Sequence, residues 1–180
     1  MTNQVLFVQG AGRDAHAWDQ KLVLSLQREL GQDYEVRFPT MPDEGNPSYE
    51  KWQSTLEREL QALSRGAVVV GHSVGGTFVI KLLAESAPDQ GLSAIVLIAP
   101  PFVGDGGWPS DELELPADLG ARLPAGVYIF HGTDDDVVPV AHADLYARAV
   151  PHARVHRLQG RDHQLNDDLK DVAAIVVRAR

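Results

Sequence analysis

The stretch Ala67-Val68-Val69-Val70-Gly71-His72-Ser73-Val74-Gly75-Gly76 decides how the rest of the chain is read. Ala67 to Val70 is a continuous β-rich apolar run, which reads as a buried strand. The helical spacing of Val74, Phe78 and Leu82 begins just beyond it. Between them, Gly71 to Gly75 has the form G-x-S-x-G. A serine on a sharp strand-to-helix turn brings the residues two before and two after it close together. Glycine at both places lets the backbone pack without side-chain collision, and Gly76 lets the helix approach the sheet. The helix N-terminus favours negative charge beside the hydroxyl. The bare pattern also arises as a glycine-rich turn with an incidental serine. Its setting, strand before and helix after, makes Ser73 the candidate nucleophile.

Working outward, short β-rich runs alternate with longer stretches of helical period. Val5 to Val8 reads as a strand ending in the turn Gln9-Gly10-Ala11-Gly12. Trp18, Leu22, Leu26 and Leu30 recur every four residues, a stripe that assigns all four to the core, and Gly31 closes this helix. Tyr34 to Phe38 is a second strand. Ser48 is the expected N-cap of a helix whose inward face is Trp52, Leu56, Leu60 and Leu63, ended by Gly66. The Ser73 helix runs until Pro88. Ala94–Ile98, Val127–Phe130 and Ala153–Leu158 complete six strands, with helices expected over Pro139–Ala149 and Leu165–Arg178. Residues 100–126 are rich in glycine and proline, with one short helix near Ala117 to Leu123. Such a chain builds an α/β three-layer sandwich, a mostly parallel sheet with helices on both faces. Its ligand crevice lies beyond the carboxyl ends of the strands.

A serine hydroxyl is a weak nucleophile and needs a base. His131-Gly132-Thr133-Asp134-Asp135-Asp136-Val137-Val138-Pro139 follows the fifth strand, and Gly160-Arg161-Asp162-His163 follows the sixth. A carboxylate and an imidazole on neighbouring strand ends can reach one serine across the crevice, and the order Ser, Asp, His suits a nucleophile on such a turn.

These residues resemble the α/β-hydrolase superfamily over essentially the whole chain. The family's motif His-Gly-x-x-Asp-x-x-Val-Pro matches His131, Gly132, Asp135, Val138 and Pro139 in register. The resemblance implies a triad of Ser73, His163 as general base and Asp135 orienting it, with Asp134 and Asp136 as rivals for the acid. It implies an oxyanion hole made by the N–H groups of Val74 and Ala11. The loop after the first strand departs from the family's usual His-Gly, carrying Gln9-Gly10 instead. The family's sheet usually has two strands ahead of the one that starts here at Val5. The expected sheet is therefore cut down to six strands in the order 2-1-3-4-5-6. Residues 100–126 are too short for the family's helical cap, so a truncated fold without cap domain is expected. The chain is similar to the short carboxylesterases and to small serine hydrolases of the retinoblastoma-binding-protein type.

Composition sets the remaining bounds. A chain of 180 residues is expected to form one domain over 1–180, with residues 100–126 as a short insert over the crevice. A net charge of −9 argues against nucleic acid and anionic membrane surfaces as partners. Cysteine is absent, which excludes disulfides and a thiolate nucleophile. The first strand begins by Gln4, leaving no room for a signal segment, and no apolar run approaches the roughly 20 residues that span a bilayer. A cytoplasmic location is expected. Gly10-Ala11-Gly12-Arg13-Asp14-Ala15 fits the dinucleotide pattern G-x-G-x-x-A, but the second strand ends in Phe38-Pro39 and lacks the acidic ribose ligand. No lysine precedes Thr77, so the Gly71 turn is not a phosphate loop. His16, His72 and His131 are read as structural. His142, His152 and His156 form no metal-binding pair, and neither metal nor cofactor is expected.

The expected activity is hydrolysis of small acyl esters through an acyl-enzyme. The alternatives are thioesterase, amidase or cofactor-free perhydrolase chemistry on the same triad, or an inactive binding module on the same fold. Trp108 is expected to wall a shallow acyl pocket, with rates falling beyond about six to eight carbons. The acidic groups Asp105, Asp111, Glu112, Glu114 and Asp118 of the insert are expected to disfavour anionic substrates. The oligomeric state is left open.

Overall fold

Runs such as Val5-Leu6-Phe7-Val8 and Val68-Val69-Val70 are apolar at successive positions because both faces of their strands are covered. In the computed structural model, which describes residues 2–88, 91–111, 113–123 and 126–179, they are strands β1 (Asn3–Val8) and β3 (Ala67–His72). With β2 (Tyr34–Arg37), β4 (Leu92–Ile98), β5 (Val127–Gly132) and β6 (Arg154–Leu158) they form a six-stranded sheet in the order β2-β1-β3-β4-β5-β6. Every pairing is parallel. The expected order and architecture are both observed.

Helices α1 (Ala15–Leu30), α2 (Tyr49–Gln61), α3 (Ser73–Glu85), α4 (Leu119–Arg122), α5 (Ala141–Ala149) and α6 (Lys170–Arg178) supply the outer layers. One face of the sheet, through Leu6, Val8 and Val69, packs on Trp52 and Leu56 of α2 and on Phe78 and Val79 of α3. The other, through Val5, Phe7 and Val70, packs on Leu22 and Leu26 of α1 and on Val172 and Val176 of α6. Ser48 caps α2 as expected, its hydroxyl accepting from Lys51 N–H at 3.3 Å. Among the described residues no helix is long and apolar enough to cross a membrane.

Three expectations are corrected. The helix placed over Leu165–Arg178 is two pieces, a 3-10 turn at Leu165–Asp167 followed by α6. Leu165, Asn166 and Asp167 all have positive φ, from 52° to 56°. The Asp162 carboxylate accepts the N–H groups of Gln164 and Asn166, offering the backbone an alternative to helix. Trp18 is 59% exposed rather than buried, although Leu22, Leu26 and Leu30 are in the core. It sits in the first turn of α1, at the carboxyl edge of the sheet, where it lines the cavity that also holds Ser73. Finally, none of the described residues of the insert lines the cavity that holds Ser73. The insert's Leu113, Leu115, Leu119 and Leu123 are buried in the same core cluster as Phe78 and Leu82, so apolar burial draws it down beside α3.

Two close backbone approaches lie where β3 turns into α3. A Cβ on Gly75 would stand 2.0 Å from the carbonyl oxygen of Gln9, and one on Gly71 would stand 2.6 Å from Cα of Gly76. The glycine two before the serine thus faces Gly76, while the one two after it faces the loop beyond β1. Gly75→Ala is therefore expected to destabilise the protein by about 3 kcal/mol, through backbone displacement that no side-chain rotation can relieve. Urea unfolding of the variant checks this.

Candidate active site

Ser73 opens α3 directly after β3, with φ of 51° and 7% exposure. A left-handed conformation costs a non-glycine residue roughly 1–2 kcal/mol, and the glycine contacts on either side hold the turn in it. The strained geometry lifts the side chain towards the carboxyl edge, where the loops beyond β1, β5 and β6 converge.

The loop after β5 supplies a carboxylate. Of the three consecutive aspartates, Asp134 and Asp136 are exposed, whereas the Asp135 side chain is fully buried. Its Oδ1 accepts the N–H groups of Val137 and Val138, at 2.9 and 2.8 Å. Its Oδ2 lies 2.8 Å from His163 Nδ1 and 3.1 Å from His131 Nε2. Burial by itself would raise the Asp135 pKa, but hydrogen bonds from His131, His163 and Val138 outweigh it and hold the carboxyl well below the usual range. His131, read from sequence as a packing residue, is thus a buried brace whose Nε2 also faces the Val138 carbonyl at 2.8 Å.

The loop after β1 is held just as closely. Gln9 is buried; its amide nitrogen donates to Glu44 at 2.6 Å and its oxygen accepts from Met41 N–H at 2.9 Å. Gly10 N–H donates to Asp19 at 2.7 Å, and Gly12 N–H donates to the Glu44 carbonyl at 2.7 Å. Ala11 N–H, between them, has no hydrogen-bond partner among the described residues. Val74 N–H lies in the first turn of α3, where intrahelical acceptors are lacking. The N–H groups of Ala11 and Val74 therefore remain available, and Gln9 ties the loop that carries Ala11 to residues 41–44.

Ser73, His163, Ala11 and His72 line one cavity of about 230 Å³, together with Arg13, Trp18 and Val137. Trp18 and Val137 are exposed large apolar side chains, so this wall is apolar. A larger hollow of about 350 Å³, bordered by Glu57, Leu82 and Pro88, has no histidine in its lining to act as a base. Trp108 does not line the Ser73 cavity. The Gly104–Gly107 turn, closed by Trp108 N–H to the Phe102 carbonyl, folds the indole back edge-on against His142, 5.5 Å between centroids. Among the described residues, none of the insert's carboxylates lines the cavity, and Asp105 and Glu114 border a separate depression. Glu112 lies outside the described residues. The lining carries Arg13 and the buried Asp19 but no described carboxylate of the insert, which removes the structural basis for expecting the insert to repel anionic substrates. Among the described residues, no group of three or more histidine or carboxylate side chains is arranged to hold a metal ion.

Sequence reading missed one further pair. His72 and Asp19 are both buried, with His72 Nδ1 2.8 Å from Asp19 Oδ2 and His72 Nε2 3.2 Å from the main-chain oxygen of His163. Their separation of 53 residues left no local pattern to find. The signal available was an aspartate inside the apolar stripe of α1, one residue from Trp18.

With this geometry established, comparison with known proteins is informative. A family model described as Serine hydrolase matches residues 6–168. The esterase Rv0045c of Mycobacterium tuberculosis is 30% identical over 158 residues, which is 87% of this chain and 50% of that protein; the chain thus spans about half the length of that curated relative. The ydeN gene product of B. subtilis superposes with a TM-score of 0.79 at 19% identity, covering 99% of this chain and 98% of that one. XC6422 from Xanthomonas campestris, described as an a/b serine hydrolase without lid, gives a TM-score of 0.63 at 14% identity, covering 99% and 82%. At these identities the structural likenesses establish the fold.

The depressed Asp135 pKa carries a stability consequence. A carboxyl whose folded pKa lies below its unfolded value of about 3.9 stabilises the fold fully above that value, and the contribution is lost as pH falls towards the folded pKa. Asp135→Asn is therefore expected to lower the urea midpoint at pH 7, with the gap to the parent protein narrowing below about pH 4. Paired unfolding curves across that range test the sign.

Proposed function

Because the chain belongs to the Serine hydrolase family, we propose that it cleaves small acyl esters with Ser73 as nucleophile, His163 as general base and Asp135 as the residue that orients the base. The observation that carries this reading is the 2.8 Å contact between His163 Nδ1 and the buried Asp135 carboxylate, beside a serine on a strained turn in the same cavity. Asp135 accepts a hydrogen bond from His163 Nδ1–H, which leaves Nε2 as the basic nitrogen. His163 takes the hydroxyl proton as Ser73 attacks the acyl carbonyl, and Asp135 stabilises the resulting imidazolium. The N–H groups of Ala11 and Val74 receive the charge that develops on the carbonyl oxygen. His163 then returns the proton to the leaving alkoxide. Water, activated by the same base, releases the acid and restores Ser73.

Ester rather than amide or thioester chemistry draws its support from the esterase relative. A cavity of about 230 Å³ is smaller than the pockets of roughly 300–1,000 Å³ that hold drug-sized ligands. It suits a short acyl chain, with Trp18 and Val137 as the apolar wall that the sequence assigned to Trp108.

A fluorophosphonate probe is expected to label Ser73, as mapped by mass spectrometry, and EDTA is expected to leave turnover unchanged. Ser73→Ala and Asp135→Asn should each lower kcat by about 10⁴-fold. Asn at the exposed Asp134 or Asp136 should cost far less. Labelling at another serine, or near-normal turnover by folded Ser73→Ala, refutes the assignment. On p-nitrophenyl esters, kcat/KM should decline beyond about six to eight carbons, and Trp18→Ala should raise KM most for the longest chain still accepted. A steady rise to long acyl chains overturns the small-substrate reading.

A further inference from the structure

His72, in the strand-to-helix turn (the elbow) just before Ser73, and Asp19 on α1 form a second histidine–carboxylate pair, for which the triad mechanism has no use. His72 sits between two acceptors, the Asp19 carboxylate at Nδ1 and the His163 main-chain carbonyl at Nε2. Either neutral tautomer would turn a nitrogen lone pair against one of those oxygens. Only the imidazolium donates at both nitrogens. Burial would push the His72 pKa down, but the charge and hydrogen bond of Asp19, with the His163 carbonyl, more than offset it and lift it above the ordinary value. Asp19 Oδ2 also accepts Gly10 N–H at 2.7 Å. One ring and one carboxylate thus join three loops: the elbow, the turn beyond β6 that carries His163, and the loop beyond β1 that presents Ala11.

We propose that the His72–Asp19 ion pair is a positioning pair for the Ser73 reaction, holding the His163 turn and the Ala11 loop in register with the nucleophile while keeping the local charge balanced. This rests on the triad assigned above. The Gly10 link has a specific consequence, since it turns the Gly10 N–H away into Asp19 and leaves the next N–H, that of Ala11, as the free donor. The His163 link constrains the backbone from which the base projects. The charge balance matters because the His72 and His163 rings lie only 4.9 Å apart between centroids. A lone imidazolium there would oppose protonation of His163 during attack, and a lone Asp19 would trap the proton on it. Asp19 from α1, Asp135 beyond β5 and His163 beyond β6 are the ionisable groups facing His72, and Arg13 stands at the rim of the same cavity.

The test combines NMR with pH profiles. In histidine-¹⁵N-labelled protein at pH 7.5, both His72 ring nitrogens should give the shifts of protonated imidazolium; a neutral ring overturns the proposal without any mutation. His72→Gln removes the cation and leaves Asp19 uncompensated. It should lower kcat about 10- to 100-fold through loosened geometry and move the acid limb of kcat/KM upward by about one pH unit. The double variant His72→Gln/Asp19→Asn removes both charges and should return the limb towards its original position while kcat stays low. A purely structural role would lower activity in both variants with the limb unmoved, and that result refutes the proposal. Fluorophosphonate labelling of the parent protein at Ser73 separates the two levels: without it the triad reading fails, and with it an unmoved limb counts against the ion pair alone.

Discussion

The carbonyl of Gln9 and the α-carbon of Gly75 stand so close that no side chain fits between them. That contact presses the loop beyond β1 against the first turn of α3, and most of the site depends on it. With the Gly71–Gly76 approach it holds Ser73 at a positive φ that an ordinary turn would relax. The strain is confined to a few backbone atoms, and it is sustained by the parallel sheet behind them, whose central strands β1, β3 and β4 are buried on both faces.

Hydrogen bonds then fix what the packing brings near. Asp135 uses both oxygens fully, two backbone N–H groups on one and two histidines on the other. A carboxylate so saturated has little freedom to rotate, so it presents one lone-pair direction to His163. Glu44 does the same for the neighbouring loop, accepting from Gln9 and from His16 N–H at 2.8 Å. Gln9 anchors this loop through its amide to a segment beyond β2. Asp19 closes the third side through His72 and Gly10. Each of these loops is thus tied by at least one buried or half-buried carboxylate.

The insert illustrates how apolar burial overrides a plausible role. Its composition, with Trp108 and several acids among glycines and prolines, reads as a loop over the crevice. Four leucines at 113, 115, 119 and 123 instead bind it to the core, and the exposed aromatic at the cavity is Trp18. A four-residue spacing placed Trp18 on the buried stripe of α1, yet a stripe says nothing about whether its first turn is covered.

Much of this protein was legible in its sequence because the relevant signals are local. Six apolar runs separated by helical periods define the strands and their parallel sense. A glycine two before and two after Ser73 reports a steric demand within one turn, and the His131 to Pro139 motif picks out Asp135 from three adjacent aspartates. What the tertiary structure alone decided is everything that depends on residues far apart in the chain. The contact of Asp135 with His163, the pairing of Asp19 with His72, the bracing of Gln9 by Glu44 and the exchange of Trp108 for Trp18 at the cavity all arise where segments far apart in the chain meet. Periodicity and motif report which face or turn a residue occupies; they carry no information on which distant loop is packed against it, and at this site those contacts set the charge and the geometry.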